Sequence, residues 1–216
     1  MRLTLNEKGK QFTKGWFRTR NMATFAELVY PKWSGRDILY LEIGVFEGMS
    51  LLWMMQHVLT SGGSRAVGID PWLMTMKQSN EYMEQAWNRT RHNLQEWTGT
   101  GVLGRSLGHR CNLIRGFSGV VLRKMIGRGG FMGVSCGTVD LCMVDGAHES
   151  LFVLDDALQC YHLLKPGGWM MFDDVVNARK KGDDHVRLGI DMFLERMPGA
   201  MKLEWKHKHM ECYVKL

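Results

Sequence analysis

The sequence predicts an α/β fold: a mostly parallel, seven-stranded sheet with helices on both faces and an antiparallel last strand. Three observations predict it. Short apolar runs that end at glycine or at an acid alternate with stretches of helical periodicity. Strand and helix alternating at that spacing require parallel crossovers. The last two strand-like runs, residues 202–206 and 210–216, follow one another with only a basic turn between them, so the final strand must insert antiparallel.

The elements follow in order. Residues 38–44 (Ile-Leu-Tyr-Leu-Glu-Ile-Gly) are apolar and stop at glycine, as a buried strand does. Residues 48–59 read as a helix, with Leu51, Leu52, Met55, Val58 and Leu59 on one face. Residues 65–70 form a second strand, stopped by Pro71, and residues 81–97 a helix. A third strand at 111–115 precedes a helix over 118–126, for which Ser118 is the expected N-cap. Residues 139–145 are the fourth strand. Ser150 then caps a helix to Leu164, with Leu151, Leu154, Leu158, Tyr161 and Leu164 as its apolar stripe and Lys165-Pro-Gly-Gly168 as its stop. A fifth strand at 169–172 runs into Asp173 and Asp174, and a helix over 185–195 follows.

Composition bounds the class of protein. The 216 residues, 45% hydrophobic and 23% charged, suit one domain over 1–216: an N-terminal helical extension at 1–37 on the substrate side, then the core at 38–216. Disordered, collagen-like and coiled-coil chains are excluded. No apolar run approaches the roughly 18 residues of a membrane span, and residues 1–10 lack the apolar centre of a secretory signal. Five cysteines without a C-x-x-C pair read as reduced thiols in a cytoplasmic protein, not as a disulfide frame or zinc site. The net charge of +6 gathers near Lys8 to Arg20, at 179–181 and at Lys202, Lys206 and Lys208. This reads as a solvated basic face, with attraction of an acidic or phosphorylated substrate as the sharper alternative. No basic, aromatic-rich nucleic-acid motif is present, which disfavours nucleic acid as a partner. Homo-oligomerisation is left open.

Open parallel sheets bind ligands at the carboxyl ends of their strands. Those ends here are Glu42 to Gly48, Asp70, Asp145 to His148, and Asp173-Asp174, and every one carries an acid. In Glu42-x-Gly44-x-x-x-Gly48, two glycines at a strand-to-helix turn let a ligand approach the backbone. The G-x-G-x-x-G spacing of a pyrophosphate loop is absent, and the acids in and before the turn suit a ligand with a cationic end. Asp70 can accept both hydroxyls of a ribose, or it can simply cap the turn before Pro71. It fits a nicotinamide dinucleotide as well as an adenosyl sulfonium. Trp72, beside it, is mostly a core residue by type and could also cover an adenine.

Four motifs together, Leu41-Glu-Ile-Gly-Val-Phe-Glu-Gly48, Gly68-Ile-Asp-Pro71, Val144-Asp-Gly-Ala-His148 and Leu164-Lys-Pro-Gly-Gly168 with Phe172-Asp-Asp174, resemble class I S-adenosylmethionine-dependent methyltransferases. More narrowly, the chain resembles small O-methyltransferases of the macrocin sugar type and, more distantly, catechol O-methyltransferase. The resemblance covers about residues 38–195. It implies a Rossmann-like core in which Glu42, Gly44 and Gly48 shape the pocket for the methionine end of S-adenosylmethionine and Asp70 holds the ribose. It further implies that Phe117 and Ser118 meet the adenine, although relatives often carry an acid or amide there. Asp145, Asp173 and Asp174 match positions at which metal-dependent relatives bind magnesium. Three converging carboxylates would repel one another without a cation, and oxygen ligands suit Mg²⁺ better than zinc. Adjacent strand residues point to opposite faces, so Asp173 and Asp174 share an ion only if the strand ends between them. His148 matches the catalytic base of relatives. The implied partner is a small-molecule hydroxyl acceptor: a sugar, a polyol or a catechol-like phenol. Rival readings are a metal-independent N- or nucleic-acid methyltransferase, an inactive cofactor-binding subunit, and a nicotinamide-dependent oxidoreductase, which lacks a phosphate loop here.

Overall fold

The structure is a computed structural model that describes residues 3–73, 78–98, 110–127, 129–175 and 185–216. The basic stretch 179–181 lies outside these residues, as does the glycine-rich stretch 99–109.

The strands are β1 (Leu39–Ile43), β2 (Arg65–Asp70), β3 (Cys111–Arg115), β4 (Val139–Val144), β5 (Leu164–Phe172), β6 (Met201–His207) and β7 (Met210–Lys215). They form a seven-stranded sheet in the order β3-β2-β1-β4-β5-β7-β6. The pairs β2–β3, β1–β4 and β4–β5 are parallel, whereas β5–β7 and β6–β7 are antiparallel. The fold is therefore the Rossmann-like sheet with an antiparallel last strand that the sequence predicts. The helices are α1 (Met22–Thr24), α2 (Tyr30–Trp33), α3 (Met49–His57), α4 (Asn80–Thr98), α5 (Ser118–Ile126), α6 (Ser150–Leu163) and α7 (Val186–Arg196). No described helix is long and apolar enough to cross a membrane. The five cysteines form no disulfide.

The chain forms two compact units, one of Met1–Ile38 with Val45–Arg115, the other of Leu39–Gly44 with Gly116–Leu216. In the first unit, two π-helical turns (Phe17–Asn21 and Phe25–Val29) alternate with α1 and α2. Their aromatic residues pack on α3: Phe25 meets Trp53 edge-on at 5.8 Å, and Phe17 meets Phe25 at 5.0 Å. Because of that cover, α3 buries Trp53 and Met54 as well as the expected Leu51, Leu52 and Met55, so it is apolar nearly all round. Glu47 fastens the segment before these helices to α4. Its carboxylate, 1% exposed, accepts from Thr13 N (2.7 Å) and Thr13 Oγ1 (2.6 Å) and pairs with Arg89 Nε (2.6 Å). A buried carboxylate is tolerated only when paired in this way.

In the second unit, helix α6 corrects two expectations. Its N-cap is Glu149 rather than Ser150, and its buried side runs through Val153, Leu154, Asp156, Ala157, Cys160 and Leu163. Leu151 is 65% exposed, and Leu158 and Tyr161 are only partly buried. A helix with leucine or phenylalanine around most of its girth offers several apolar stripes, and neighbouring helices chose the one nearest Val153. Likewise, the N-cap of α5 is Phe117, and Ser118 is its first helical residue. The segment Lys165 to Gly168 follows the end of α6, as expected of a stop, and belongs to β5, which starts at Leu164 rather than at 169. On β7, buried Glu211 pairs with Arg187 of α7, with Lys206 Nζ (2.8 Å) and with Tyr213 Oη (2.7 Å). Burial disfavours its charge, but the hydrogen bonds from Lys206, Arg187 and Tyr213 outweigh that and hold its carboxyl below the usual range.

Candidate active site

The turn after β1 is built on Gly44, whose φ is +87°. A Cβ there would stand 1.9 Å from the Asp145 carbonyl oxygen, because the chain leaving β1 runs directly beside the chain leaving β4, its parallel neighbour. The Asp145 N–H donates to Ile43 O at 2.9 Å, continuing the parallel ladder between the two strands. Two residues before Gly44, Glu42 is 1% exposed and accepts the Tyr40 hydroxyl at 2.7 Å. Burial, reinforced by the neighbouring Glu42 carboxylate, pushes the Tyr40 phenol well above its ordinary value, so it remains a donor. Strand residues two apart share a face, so this pair was present in the sequence pattern though not recognised there.

In the other unit, β2 ends at Asp70, 7% exposed. Its two oxygens accept separate backbone N–H groups, from Phe46 (2.9 Å) and Trp72 (2.7 Å). Burial raises the Asp70 carboxyl above its ordinary value, and the N–H groups of Phe46 and Trp72 oppose that rise. Both donors are non-glycine residues at positive φ, 51° for Phe46 and 44° for Trp72. The Phe46 carbonyl in turn accepts from Trp72 Nε1 (2.7 Å) and from the Thr90 hydroxyl. Asp70 thus gathers two strained turns around one carboxylate, which is how a site keeps costly backbone geometry. Trp72 is 1% exposed and packs on Trp87 at 4.5 Å, so its ring serves as packing beneath these turns. Gly48, φ +77°, starts α3 from the far end of the β1 turn.

At the start of α5, Phe117 is 61% exposed, and the Ser118 hydroxyl donates to Asp156 of α6. Asp156 carries no motif in the sequence and was missed there. Burial pushes its carboxyl up to about 7, partly countered by the Ser118 hydrogen bond. The folded protein therefore binds more protons than the unfolded chain between about pH 4 and pH 7. Stability contributed by the protonated form is lost as pH rises through that window. The substitution Asp156→Asn is expected to raise the thermal midpoint at pH 8, by a free energy on the order of 4 kcal/mol at most, and to flatten its dependence between pH 5 and 7. An unchanged pH profile, measured by calorimetry, would contradict that assignment.

Beyond β4 and β5, one ligand atom each of Asp145, His148 and Asp174 lie within 4.8 Å of one another. His148 Nε2 stands 3.4 Å from Asp174 Oδ2; the His148 side chain is 52% exposed and that of Asp174 10%. Asp174 adopts φ +56°, which ends the extended chain between Asp173 and Asp174. The two aspartates are consequently divided. Asp174 turns to Asp145 and His148, while Asp173, 6% exposed, is paired with His209 Nε2 at 3.1 Å. Among the described residues the grouping therefore holds Asp145, Asp174 and His148, the expected base, while Asp173 pairs with His209. The two carboxylates fit a divalent cation with oxygen ligands, such as Mg²⁺ or Mn²⁺, with the imidazole standing beside them. His209 escaped sequence reading because nothing in its neighbourhood announces a partner just past β5.

A family model described as a methyltransferase domain matches residues 41–175, more than half of the chain. The comparison with curated proteins finds no match. Among solved structures, an O-methyltransferase from Bacillus cereus in complex with S-adenosylhomocysteine is similar at a TM-score of 0.57 and 16% identity, covering 94% of this chain and 93% of that one. The MycE methyltransferase of the mycinamycin biosynthetic pathway, in complex with Mg, S-adenosylhomocysteine and mycinamycin VI, is similar at a TM-score of 0.55 and 16% identity, covering 95% of this chain and half of that one. A Clostridium thermocellum protein provisionally described as an rRNA-methylase is similar at a TM-score of 0.59 and 13% identity, covering 90% of this chain and 95% of that one. At such identities the solved structures speak for the fold. The match from the β1 turn to the end of β5 speaks for more, since it spans the acids that close β1, β2, β4 and β5, and by it the chain belongs to the methyltransferase-domain family and is a methyltransferase.

Proposed function

We propose that the protein transfers the methyl group of S-adenosylmethionine to a hydroxyl of a small cytoplasmic molecule, with a divalent cation at the acceptor oxygen. The observation that carries this reading is the convergence of Asp145, His148 and Asp174 at the ends of β4 and β5. Glu42, Gly44 and Gly48 would shape the place of the methionine end. Asp70, whose oxygens retain lone pairs beyond the backbone N–H bonds from Phe46, Trp72 and Val45, would accept the ribose hydroxyls. Phe117, exposed at the start of α5, would lie along the adenine beside Ser118. The acceptor is a sugar, polyol or catechol-like hydroxyl, by likeness of motif.

Asp145 and Asp174 would hold the cation, with Asp173 kept apart by His209. A bound divalent cation supplies Lewis acidity that lowers the pKa of an acceptor hydroxyl. His148, half exposed and beside Asp174, takes the hydroxyl proton on Nε2. The freed oxygen pair forms the new O–CH₃ bond as the C–S bond breaks, and its electrons return to sulfur to leave a neutral thioether. Holding oxygen, methyl carbon and sulfur in line contributes much of the remaining acceleration.

Chelation tests the cation. EDTA is expected to lower turnover on the order of 10²-fold or more, with Mg²⁺ or Mn²⁺ restoring it. Asp174→Asn is expected to be as slow as the chelated enzyme and to gain nothing from added metal. Turnover indifferent to EDTA would replace this reading with metal-independent methylation of a nitrogen or a nucleic acid.

A further inference from the structure

The antiparallel hairpin delivers a residue to the carboxyl edge of β5 that no strand–helix crossover could supply. Strand β7 pairs with β5 in the register Phe172↔Glu211, and His207 pairs with Met210. The turn at Lys208 and His209 therefore lies just past the end of β5, alongside Asp173. His209 is 9% exposed and grips the chain there twice. Its Nε2 is 3.1 Å from Asp173 Oδ1, and its carbonyl accepts the Val175 N–H at 2.9 Å. Asp173 Oδ1 also accepts the Asp174 N–H at 2.8 Å. Asp174 is thus held between two anchored neighbours, in a left-handed conformation (φ +56°) that L-residues rarely adopt. That conformation is what turns its carboxylate toward Asp145 and His148.

We propose that His209 is the positioning residue of the Asp145–His148–Asp174 cluster. By binding Asp173 through its side chain and Val175 through its carbonyl, it sets the bend at Asp174 and withholds Asp173 from the cluster. The donor at Nε2 is the essential part. Without it the buried Asp173 carboxylate loses a partner, is drawn toward any cation nearby, and relaxes the bend. Outer hydrogen bonds of this kind commonly govern how well carboxylates hold a metal. The inference rests on the cluster being the acceptor and cation site.

Two substitutions in the full chain separate shape from hydrogen bonding: His209→Phe keeps a ring without a donor, and His209→Gln keeps an N–H near the Nε2 position. Mn²⁺ alone is titrated by calorimetry, S-adenosylhomocysteine affinity and thermal midpoint are recorded beside it, and His209→Phe is crystallised. The expected result is a loss of Mn²⁺ affinity of about 10- to 100-fold in His209→Phe, with S-adenosylhomocysteine affinity within about twofold and His209→Gln close to the wild type. Turnover falls in kcat while KM for S-adenosylmethionine holds. Wild-type Mn²⁺ affinity in His209→Phe overturns the inference, as does a crystal structure with Asp174 still at positive φ and still 3.4 Å from His148. Should His209→Phe not fold, a folded His209→Gln with tenfold weaker Mn²⁺ binding does the same. Asp174→Asn is the control for the site: if it binds Mn²⁺ like the wild type, or if the wild type binds none, the cation reading fails, and the crystal structure alone then decides the role of His209.

Discussion

Alanine at position 44 is expected to prevent stable folding. Two independent penalties coincide there. An L-residue at φ +87° is strained by about 1–2 kcal/mol. Its Cβ would also overlap the Asp145 carbonyl oxygen at 1.9 Å, and that oxygen belongs to backbone at the end of β4, which cannot rotate aside. Relief requires β1 and β4 to part, and their parallel ladder (Tyr40↔Leu141 to Ile43↔Val144) lies in the centre of the sheet. The loss should exceed about 4 kcal/mol, the range reserved for changes with a specific structural cause. Gly48→Ala provides the comparison. Its φ is +77°, but the nearest atoms are the ends of the Leu94 and Thr90 side chains at 3.2 Å, which can give way. It should cost about 1–2 kcal/mol. Urea unfolding of both variants checks the ranking; a Gly44→Ala protein as stable as Gly48→Ala would mean that the two strand ends do not run so close together.

Loss of the His148 imidazole is the second large effect. With its side chain 52% exposed, truncation to alanine removes little packing, so the fold and the thermal midpoint should be retained. The chemical step should slow by about 10²- to 10⁴-fold, the usual contribution of a positioned general base. Binding of S-adenosylhomocysteine should be unchanged within about twofold, since Asp70 and the β1 turn, not His148, are assigned to it. If cofactor affinity collapses instead, His148 belongs to the cofactor's binding surface and not to the acceptor's proton.

Much of this architecture was legible beforehand. The bounds of β2, β3 and α5 coincide with the predicted ones, because β-branched or apolar runs punctuated by Pro71 and Gly116 leave little choice. The acids at the strand ends were legible for the same reason: a strand end is read from where the apolar run stops. The failures were of another kind. In α6 the periodicity allowed several apolar stripes, and packing selected the one that carries Asp156 inward. Trp72, by contrast, is the core residue that its type suggests: its indole N–H donates to the Phe46 carbonyl and its ring packs on Trp87.

From the amino-acid order alone came the alternation of strand and helix, the antiparallel ending, and the acids that close four strands. Those are local facts, set by side-chain period and by glycine and proline, which act over a few residues. Which acids meet is not local. Asp173 and Asp174 are chemically identical neighbours, and only the bend at Asp174, tied to a turn more than thirty residues downstream, sends one to His148 and leaves the other with His209. Partner choice among like charges depends on distances of a few ångströms across the sheet, and those exist only once the chain has closed on itself.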